Sequence, residues 1–344
     1  MNKKQSILIT GATGFVGAYV LRELLQQGYT QIRATHRSSI DEALLTKELS
    51  NVEWVKAELE DYFSLEEAMN GIEMVIHCAA MVSFLPKDRK ELILINQIGT
   101  RYIVDAALYN GVKRLIYISS VAALGRNVDD FAITEDTKWD NGGTPTNYAI
   151  SKFLAEEEVW RGQAEGLSVA LLYPSIILGA WKWSVGTAKM FTFANRKSPF
   201  YPAGHTGIVD VRDVAKAVHL LIERNQDFDR FLLNGHNISY RDLLGKMAIA
   251  LGHPPPNKAF PERWARILTW IDDWRAWLTG GTPLLTKETT RASYRKHVYD
   301  SSRSKDVLGI KYRTIDHTIN ETAAVFIKTK EEKGVIMFEM GNER

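Results

Sequence analysis

The chain has little cysteine and no long apolar run. Cys78 is the one cysteine in 344 residues, which excludes an intrachain disulfide and makes the reducing cytoplasm the expected location. No apolar stretch reaches the roughly 18 residues of a membrane-spanning helix. The first apolar run ends at Gly11, too early for a secretion signal. We therefore expect neither a disulfide framework nor a membrane partner.

The chain also has almost no net charge. Its 43 basic and 41 acidic residues leave a formal charge of +2, so nothing indicates a nucleic-acid partner. Apolar residues make up 45% and charged residues 24%, which is typical of a globular protein with one large or two smaller domains. The expected partner is a small-molecule substrate, and we expect no metal.

Three glycines directly follow the first predicted strand, 6–9, and precede a helical pattern that begins at Ala18. Gly11 permits a tight turn, Gly14 lets the backbone approach a pyrophosphate, and Gly17 lets the helix pack against the strand. Backbone N–H groups and the dipole at a helix N-terminus both attract an anion. This turn, placed between a strand and a helix, predicts a dinucleotide site.

Strand-like and helix-like segments alternate through the first two-thirds of the chain, which predicts a parallel α/β sheet. Further strands are predicted at 31–35, 52–55, 74–78, 114–118, 167–173 and 231–233, and further helices at 62–69, 88–109, 147–164 and 210–224. Later segments are mostly helical. Apolar residues at helical spacing in 264–278 predict a helix that packs in the core.

We therefore expect a Rossmann-type, doubly wound parallel sheet built from 1–178 and 210–236. Residues 179–209 and 237–330 are expected to form a smaller, mostly helical substrate-binding part. The charged end, 331–344, is predicted to be a frayed tail.

Tyr148 and Lys152 lie four residues apart in a predicted helix, so the phenol and the ammonium share one face. A nearby positive charge lowers the pKa of a tyrosine from its ordinary value of about 10. A tyrosine tuned in this way can exchange a proton near neutral pH. Tyr109 and Lys113 repeat the spacing, but Gly111 interrupts their helix, which favours Tyr148.

Ser120 follows the fifth predicted strand. Ligands of open α/β sheets bind beyond the carboxyl ends of the strands, so Ser120 is expected to hydrogen-bond a substrate oxygen.

Together these motifs resemble the extended short-chain dehydrogenase/reductase family, also called the NAD-dependent epimerase/dehydratase family. Segments 77–80, 96–100, 173–179 and 209–215 are similar to further marks of that family. The resemblance implies a catalytic triad of Ser120, Tyr148 and Lys152. Besides Tyr148 and Lys152, the expected cofactor contacts are Gly11, Thr13, Gly14, Phe15, Val16, Gly17, Arg37, Glu58, Leu59, Cys78, Ala79, Ala80, Asn96, Tyr173, Pro174, Ser175 and Ile176.

Segment 33–38 resembles the dihydroflavonol-reductase and 3β-hydroxysteroid-dehydrogenase branch of the family. No acidic residue ends the second strand to bind the ribose 2′-hydroxyl of NAD, whereas Arg37 can pair with a 2′-phosphate. NADP(H) is therefore the preferred cofactor, and NAD(H) stays open. The resemblance also implies a homodimer formed through helices 88–109 and 147–164.

The resemblance implies hydride transfer between nicotinamide and a carbonyl or alcohol carbon. Tyr148 would donate a proton to the developing alkoxide, Ser120 would hydrogen-bond it, and Lys152 would hold the nicotinamide ribose. An aromatic segment after Gly179 favours a hydrophobic aldehyde or ketone. The apolar residues concerned are Trp181, Trp183, Met190, Phe191, Phe193, Phe200 and Tyr201, with Met81, Val82 and Phe84.

Two other functions stay open. One is a nucleotide-sugar epimerase or dehydratase, whose polar cleft could draw on Lys182, Lys189, Arg196 and Lys197. The other is a dinucleotide-binding sensor without catalysis. Relatives of that kind commonly lack the tyrosine, so Tyr148 argues against it.

Overall fold

The computed structural model describes residues 3–40, 49, 51–125, 132–139, 145–224, 228–279 and 286–332. The strands are β1 (Ile7–Thr10), β2 (Ile32–His36), β3 (Glu53–Lys56), β4 (Met74–His77), β5 (Arg114–Ile118), β6 (Ser168–Pro174), β7 (Ile176–Leu178), β8 (Phe200–Tyr201), β9 (His205–Asp210), β10 (Phe228–Leu233), β11 (His236–Ser239) and β12 (Lys258–Ala259). The α-helices are α1 (Phe15–Gln26), α2 (Tyr62–Ala68), α3 (Arg89–Leu92), α4 (Gly99–Tyr109), α5 (Asn147–Ala164), α6 (Lys189–Ala194), α7 (Val211–Glu223), α8 (Tyr240–Ala250), α9 (Glu262–Thr279), α10 (Lys287–Tyr294), α11 (Ser302–Leu308) and α12 (Ile315–Glu331).

The central sheet is parallel and is covered on both faces. Its strand order is β10-β6-β5-β4-β1-β2-β3. Successive residues of β1 enter opposite cores, because side chains alternate along a strand. Ile7 and Ile9 join the cluster that contains α1 and α7, and Leu8 joins the one that contains α2, α4 and α5. The predicted Rossmann-type, doubly wound fold is confirmed.

The strand order reverses between β1 and β4, which makes the crevice beyond their carboxyl ends the natural ligand position. Thr10 pairs with His77 across this boundary. The glycine turn follows Thr10, and Cys78 follows His77, so both segments meet at the same edge of the sheet. The glycine turn, where the dinucleotide site is predicted, thus lies at the sheet edge where ligands of open α/β sheets bind.

The helix predicted at 88–109 is interrupted. Helix α3 passes into a π-helical segment, Ile93–Ile98, before α4 begins. Asn96 lies in this segment. Its side-chain amide forms hydrogen bonds with both the N–H and the carbonyl of Met81, outside the helix. A π-segment is frequently found at a functional site, where it redirects a side chain.

Helix α9 contradicts the prediction of core packing. Its small residues face inward: Ala265 and Ala276 are buried, and Thr269 hydrogen-bonds Thr290 of α10 at 2.8 Å between hydroxyl oxygens. Trp264 and Trp270 are 51% and 65% exposed. The helical period was read correctly, but the small face permits a closer approach to α10 than indole rings would allow.

Residues 333–344 of the predicted tail lie outside the described residues. Among the described residues, no helix is long and apolar enough to cross a lipid bilayer.

A buried charge cluster attaches α12 to the start of α7. Asp210 caps α7 by accepting the Arg212 backbone N–H at 2.8 Å, and it also accepts the Arg212 guanidinium at 2.7 Å. Thr318 of α12 donates its hydroxyl to the same carboxylate at 2.8 Å, and Glu321 binds the other side of the guanidinium. The side chains of Asp210 and Arg212 are 0% and 7% exposed.

We expect Asp210→Asn to destabilise the protein by about 3 kcal/mol, because it leaves a buried guanidinium with one charged partner instead of two. Urea unfolding measures this change in the free energy of unfolding. Asp306→Asn, at an exposed position of α11, is the control and should cost less than about 0.5 kcal/mol. Equal effects of the two substitutions would contradict the role of the buried pair.

Candidate active site

The glycine turn is packed too tightly for any side chain at two of its positions. Gly11 has φ +69°, and a Cβ there would lie 2.7 Å from the Ala79 Cα atom. A Cβ on Gly17 would overlap the Gly11 carbonyl oxygen. The Gly14 N–H closes the turn by donating to that oxygen at 2.9 Å.

Helix α1 begins directly after the turn, with Gly14 as its N-cap and no side-chain capping bond there. Thr13, Phe15 and Val16 are partly exposed, so the helix N-terminus is accessible. A bare backbone turn at an accessible helix N-terminus fits a diphosphate.

The other cofactor residues expected on the first strands also lie at this edge. Arg37 is exposed just beyond β2, and Glu58 and Leu59 follow β3. A Cβ on Gly99 of α4 would lie 2.8 Å from the Leu59 Cβ, so α4 approaches this loop closely. These positions follow adjacent strands, as the prediction requires.

Cys78, Ala79 and Ala80 follow β4, next to the glycine turn. Burial raises the pKa of the Cys78 thiol to about 12, so this group stays protonated and unreactive at neutral pH. Among the described residues, no group of three or more His, Cys, Asp or Glu side chains could hold a metal ion.

Asn96 is committed to protein partners. Its amide accepts from the Met81 N–H at 2.8 Å and donates to the Met81 carbonyl and to the Ser151 hydroxyl, each at 2.9 Å. Ser151 precedes Lys152 in α5. The structure therefore places Asn96 as a bridge between the loop after β4 and helix α5, which carries Tyr148 and Lys152.

Residues 173–176 run from β6 into β7. Tyr173 is buried and turns its phenol toward Glu156, with 3.3 Å between oxygens. Pro174 is the last residue of β6, and Ile176 opens β7. The Ser175 N–H donates to the Leu233 carbonyl at 2.9 Å, whereas its buried Oγ has no hydrogen-bond partner among the described residues. An unsatisfied buried hydroxyl at this edge is available to a ligand.

Ser120 and Tyr148 are brought together as predicted. Ser120 follows β5, and its Oγ accepts the Ala122 N–H at 3.1 Å. Tyr148 lies in the first turn of α5, where Thr146 caps the helix by accepting the Ala149 N–H at 3.0 Å. A hydrogen bond joins Ser120 and Tyr148 and lowers the pKa of the phenol.

The expected lowering of the Tyr148 pKa below its ordinary value is wrong for this structure. Burial dominates and raises the pKa to about 12. The Lys152 ammonium does not oppose this, because it turns inward: it donates to the Tyr117 phenol at 2.6 Å and to the Ile118 carbonyl at 2.9 Å. Tyr148 therefore keeps its proton at neutral pH.

Two polar residues of this region were missed. Tyr117 receives the Lys152 ammonium, and Glu156 lies one helical turn beyond Lys152, buried beneath the site. The spacing of Lys152 and Glu156 was readable as an i, i+4 pair. Tyr117 carried no such signal, because it reads as one more apolar position of a buried strand.

Most of the aromatic residues expected to contact a substrate belong to the core instead. Phe191 is fully buried, and Trp183 packs edge-on against Phe326 with 4.9 Å between ring centroids. Trp181 is buried against Phe15. Phe84 is different, because its ring meets that of Tyr148 at 5.8 Å, edge to face.

Comparisons with known proteins agree with this geometry. The sequence profile of the NAD-dependent epimerase/dehydratase family matches residues 7–233. A Synechocystis sp. protein provisionally named a dihydroflavonol 4-reductase is 30% identical over 92% of this chain and 93% of its own. Cinnamoyl-CoA reductase 1 of Oryza sativa is 32% identical over 70% of this chain and 75% of its own. The crystal structure of gox2253 is 30% identical, with a TM-score of 0.81 over 94% of this chain and 98% of that one.

Gly11→Ala should weaken dinucleotide binding at least about tenfold, because its Cβ would displace the turn from Ala79. Gly111→Ala is a matched control: its φ is +66°, close to the +69° of Gly11, and nothing lies within 4 Å of its Cβ. Both variants should lose about 1–2 kcal/mol to the left-handed backbone. Fluorescence titration and urea unfolding separate the two effects. Equal dinucleotide affinities in the two variants would argue against the turn as the cradle.

Proposed function

This chain belongs to the NAD-dependent epimerase/dehydratase family, and on that premise we propose that it is an NADP(H)-dependent reductase interconverting a carbonyl compound and its alcohol. The pairing of Ser120 with Tyr148 carries the proposal. Ser120 follows β5, the neighbour of β4 at the strand boundary that holds the glycine turn, and Tyr148 lies in the first turn of α5. Reductase names among the relatives support it.

The dinucleotide would rest with its diphosphate on the turn from Gly11 to Gly17 and with its adenosine half beyond β2. Nicotinamide supplies a hydride donor or acceptor when bound. Around it, the Ser175 hydroxyl offers a hydrogen bond, and Cys78 supplies packing rather than a nucleophile.

Tyr148 acts as a proton donor in the reductive direction. Its pKa of about 12 keeps the phenol protonated at neutral pH, as a general acid requires. The Ser120 hydroxyl stabilises negative charge that develops on the substrate oxygen. Lys152 contributes a positive charge beneath this pair.

Hydrophobic carbonyl compounds are the proposed substrates. Phe84 borders Tyr148, and Val82 in the same loop is 60% exposed. The names dihydroflavonol 4-reductase and cinnamoyl-CoA reductase refer to aromatic substrates. Such substrates agree with the apolar side chain of Phe84 beside Tyr148, the proposed general acid, and with Val82 in the same loop.

Arg37 supports NADP(H) as the preferred cofactor. It is exposed directly after β2, where the ribose of the adenosine half is expected, and a guanidinium pairs well with a 2′-phosphate.

Tyr148→Phe should lower kcat by about 10²–10⁴-fold on aldehydes or ketones while leaving NADPH affinity unchanged, because only the proton donor is lost. Tyr109→Phe is the control, since Tyr109 shares the spacing to a lysine but is 73% exposed at the end of α4. NADPH oxidation against a panel of carbonyl compounds measures both variants. Turnover of nucleotide sugars alone would favour the epimerase or dehydratase; unchanged turnover in Tyr148→Phe would contradict the mechanism.

Arg37→Ala should weaken NADPH binding about tenfold and leave NADH binding unchanged, because one charge-assisted contact to the 2′-phosphate is lost. Lys216→Ala, an exposed cation on α7, should change neither affinity. Both constants come from fluorescence titration. A parallel loss of NADH and NADPH affinity in Arg37→Ala would refute selection by this residue.

A further inference from the structure

Glu156 is a buried carboxylate that the proposed chemistry does not use. It is 5% exposed and lies on the inner face of α5, one turn beyond Lys152. The Ser119 hydroxyl donates to one of its oxygens, and the Tyr173 phenol donates to the other at 3.3 Å. The two donors come from different segments, after β5 and on β6, so the carboxylate is fixed from two sides.

Lys152 is equally buried, with 1% of its surface exposed. Its ammonium has a phenol and a carbonyl as hydrogen-bond partners, both uncharged, and it lies 4.2 Å from the centroid of the Tyr117 ring. Burial lowers the pKa of Lys152 to about 7, and the negative charge of Glu156 acts against that lowering. Without a nearby carboxylate, the pKa of this amine would fall further, and a smaller fraction of it would be protonated at physiological pH.

Other titratable groups around the pair do not replace Glu156. Cys78 stays a neutral thiol, and burial raises the pKa of both the Tyr117 and the Tyr148 phenol. Burial lowers the pKa of His77 to about 3, so this ring is neutral too. Burial raises the pKa of Glu156 to about 7, and the Ser119 and Tyr173 hydrogen bonds and the cations of Lys152 and Arg230 act against that rise.

We propose that Glu156 is a positioning residue for Lys152: held by Ser119 and Tyr173, its carboxylate favours the charged form of the buried ammonium, which can then donate to Tyr117 and to the Ile118 carbonyl at the strand end beneath Ser120 and Tyr148. The pair responds to pH in a defined way. At low pH Glu156 is protonated and Lys152 is charged by itself. As the pH rises through neutrality Glu156 ionises, and its negative charge keeps the amine protonated to a higher pH than burial alone would allow. Only the part of this inference that concerns dinucleotide binding rests on the proposed function.

The direct test is the titration of Lys152 followed by NMR on protein labelled with carbon-13 at lysine Cε, with the signal assigned from Lys152→Met. Glu156→Gln keeps the shape and removes the charge, so the Lys152 midpoint should fall by at least about one pH unit. Glu156→Asp should largely preserve it. Glu157→Gln, exposed on the same helix, is the control and should leave it unchanged. An unchanged midpoint in Glu156→Gln overturns the proposal.

A second readout separates electrostatics from structure. NADPH affinity of Glu156→Gln should be about tenfold weaker than that of the unsubstituted protein at pH 8 and within about twofold at pH 6, where Lys152 regains its proton. Weakening by the same factor at every pH would overturn the proposal in favour of a packing role. A shifted Lys152 midpoint in a protein that binds no dinucleotide would instead retain the inference and refute the proposed function.

Discussion

The burial of the Lys152 ammonium is the constraint on which the rest of the site depends. A charge removed from water is costly unless hydrogen bonds and an opposite charge surround it. Tyr117 and the Ile118 carbonyl supply the hydrogen bonds, and Glu156 supplies the opposite charge. Helix α5 must therefore bring Lys152 to the end of β5, and Tyr148, one turn earlier on the same helix, then lies beside Ser120.

A polar network extends this constraint to the glycine turn. The His77 imidazole contacts the hydroxyls of Thr10 and Thr100 at 2.7 and 3.2 Å, and it stacks on Tyr117 with 5.4 Å between ring centroids. Because His77 stays neutral, it joins β1, β4 and α4 without adding a second cation near Lys152. The glycine turn and helix α5 are thus connected through hydrogen bonds between side chains as well as through loops.

Sequence motifs predicted the site best where a single short segment contains every residue that the geometry needs. The glycine turn needs only its own backbone and the strand beside it. One helix-breaking glycine, Gly111, was enough to choose Tyr148 over Tyr109, which has the same spacing to a lysine. Predictions failed where the environment of a side chain depends on which other element packs against it. Phe191 and Trp183 are aromatic residues for the core rather than for a ligand, and Trp264 is exposed although its period is helical. Periodicity shows that a face exists but not which element covers it.

The sequence by itself determined the seven strands of the central sheet, its doubly wound character and the segments that meet at its edge, because these follow from periodicity, glycine positions and chain connectivity. Only the tertiary structure decided the protonation of the site. The pKa of Tyr148 was expected below its ordinary value, yet burial raises it, while Lys152 turns toward Tyr117 and is acted on by the charge of Glu156. The physical reason is that a pKa reports desolvation and charges contributed by several elements at once, and no spacing within one helix encodes that sum.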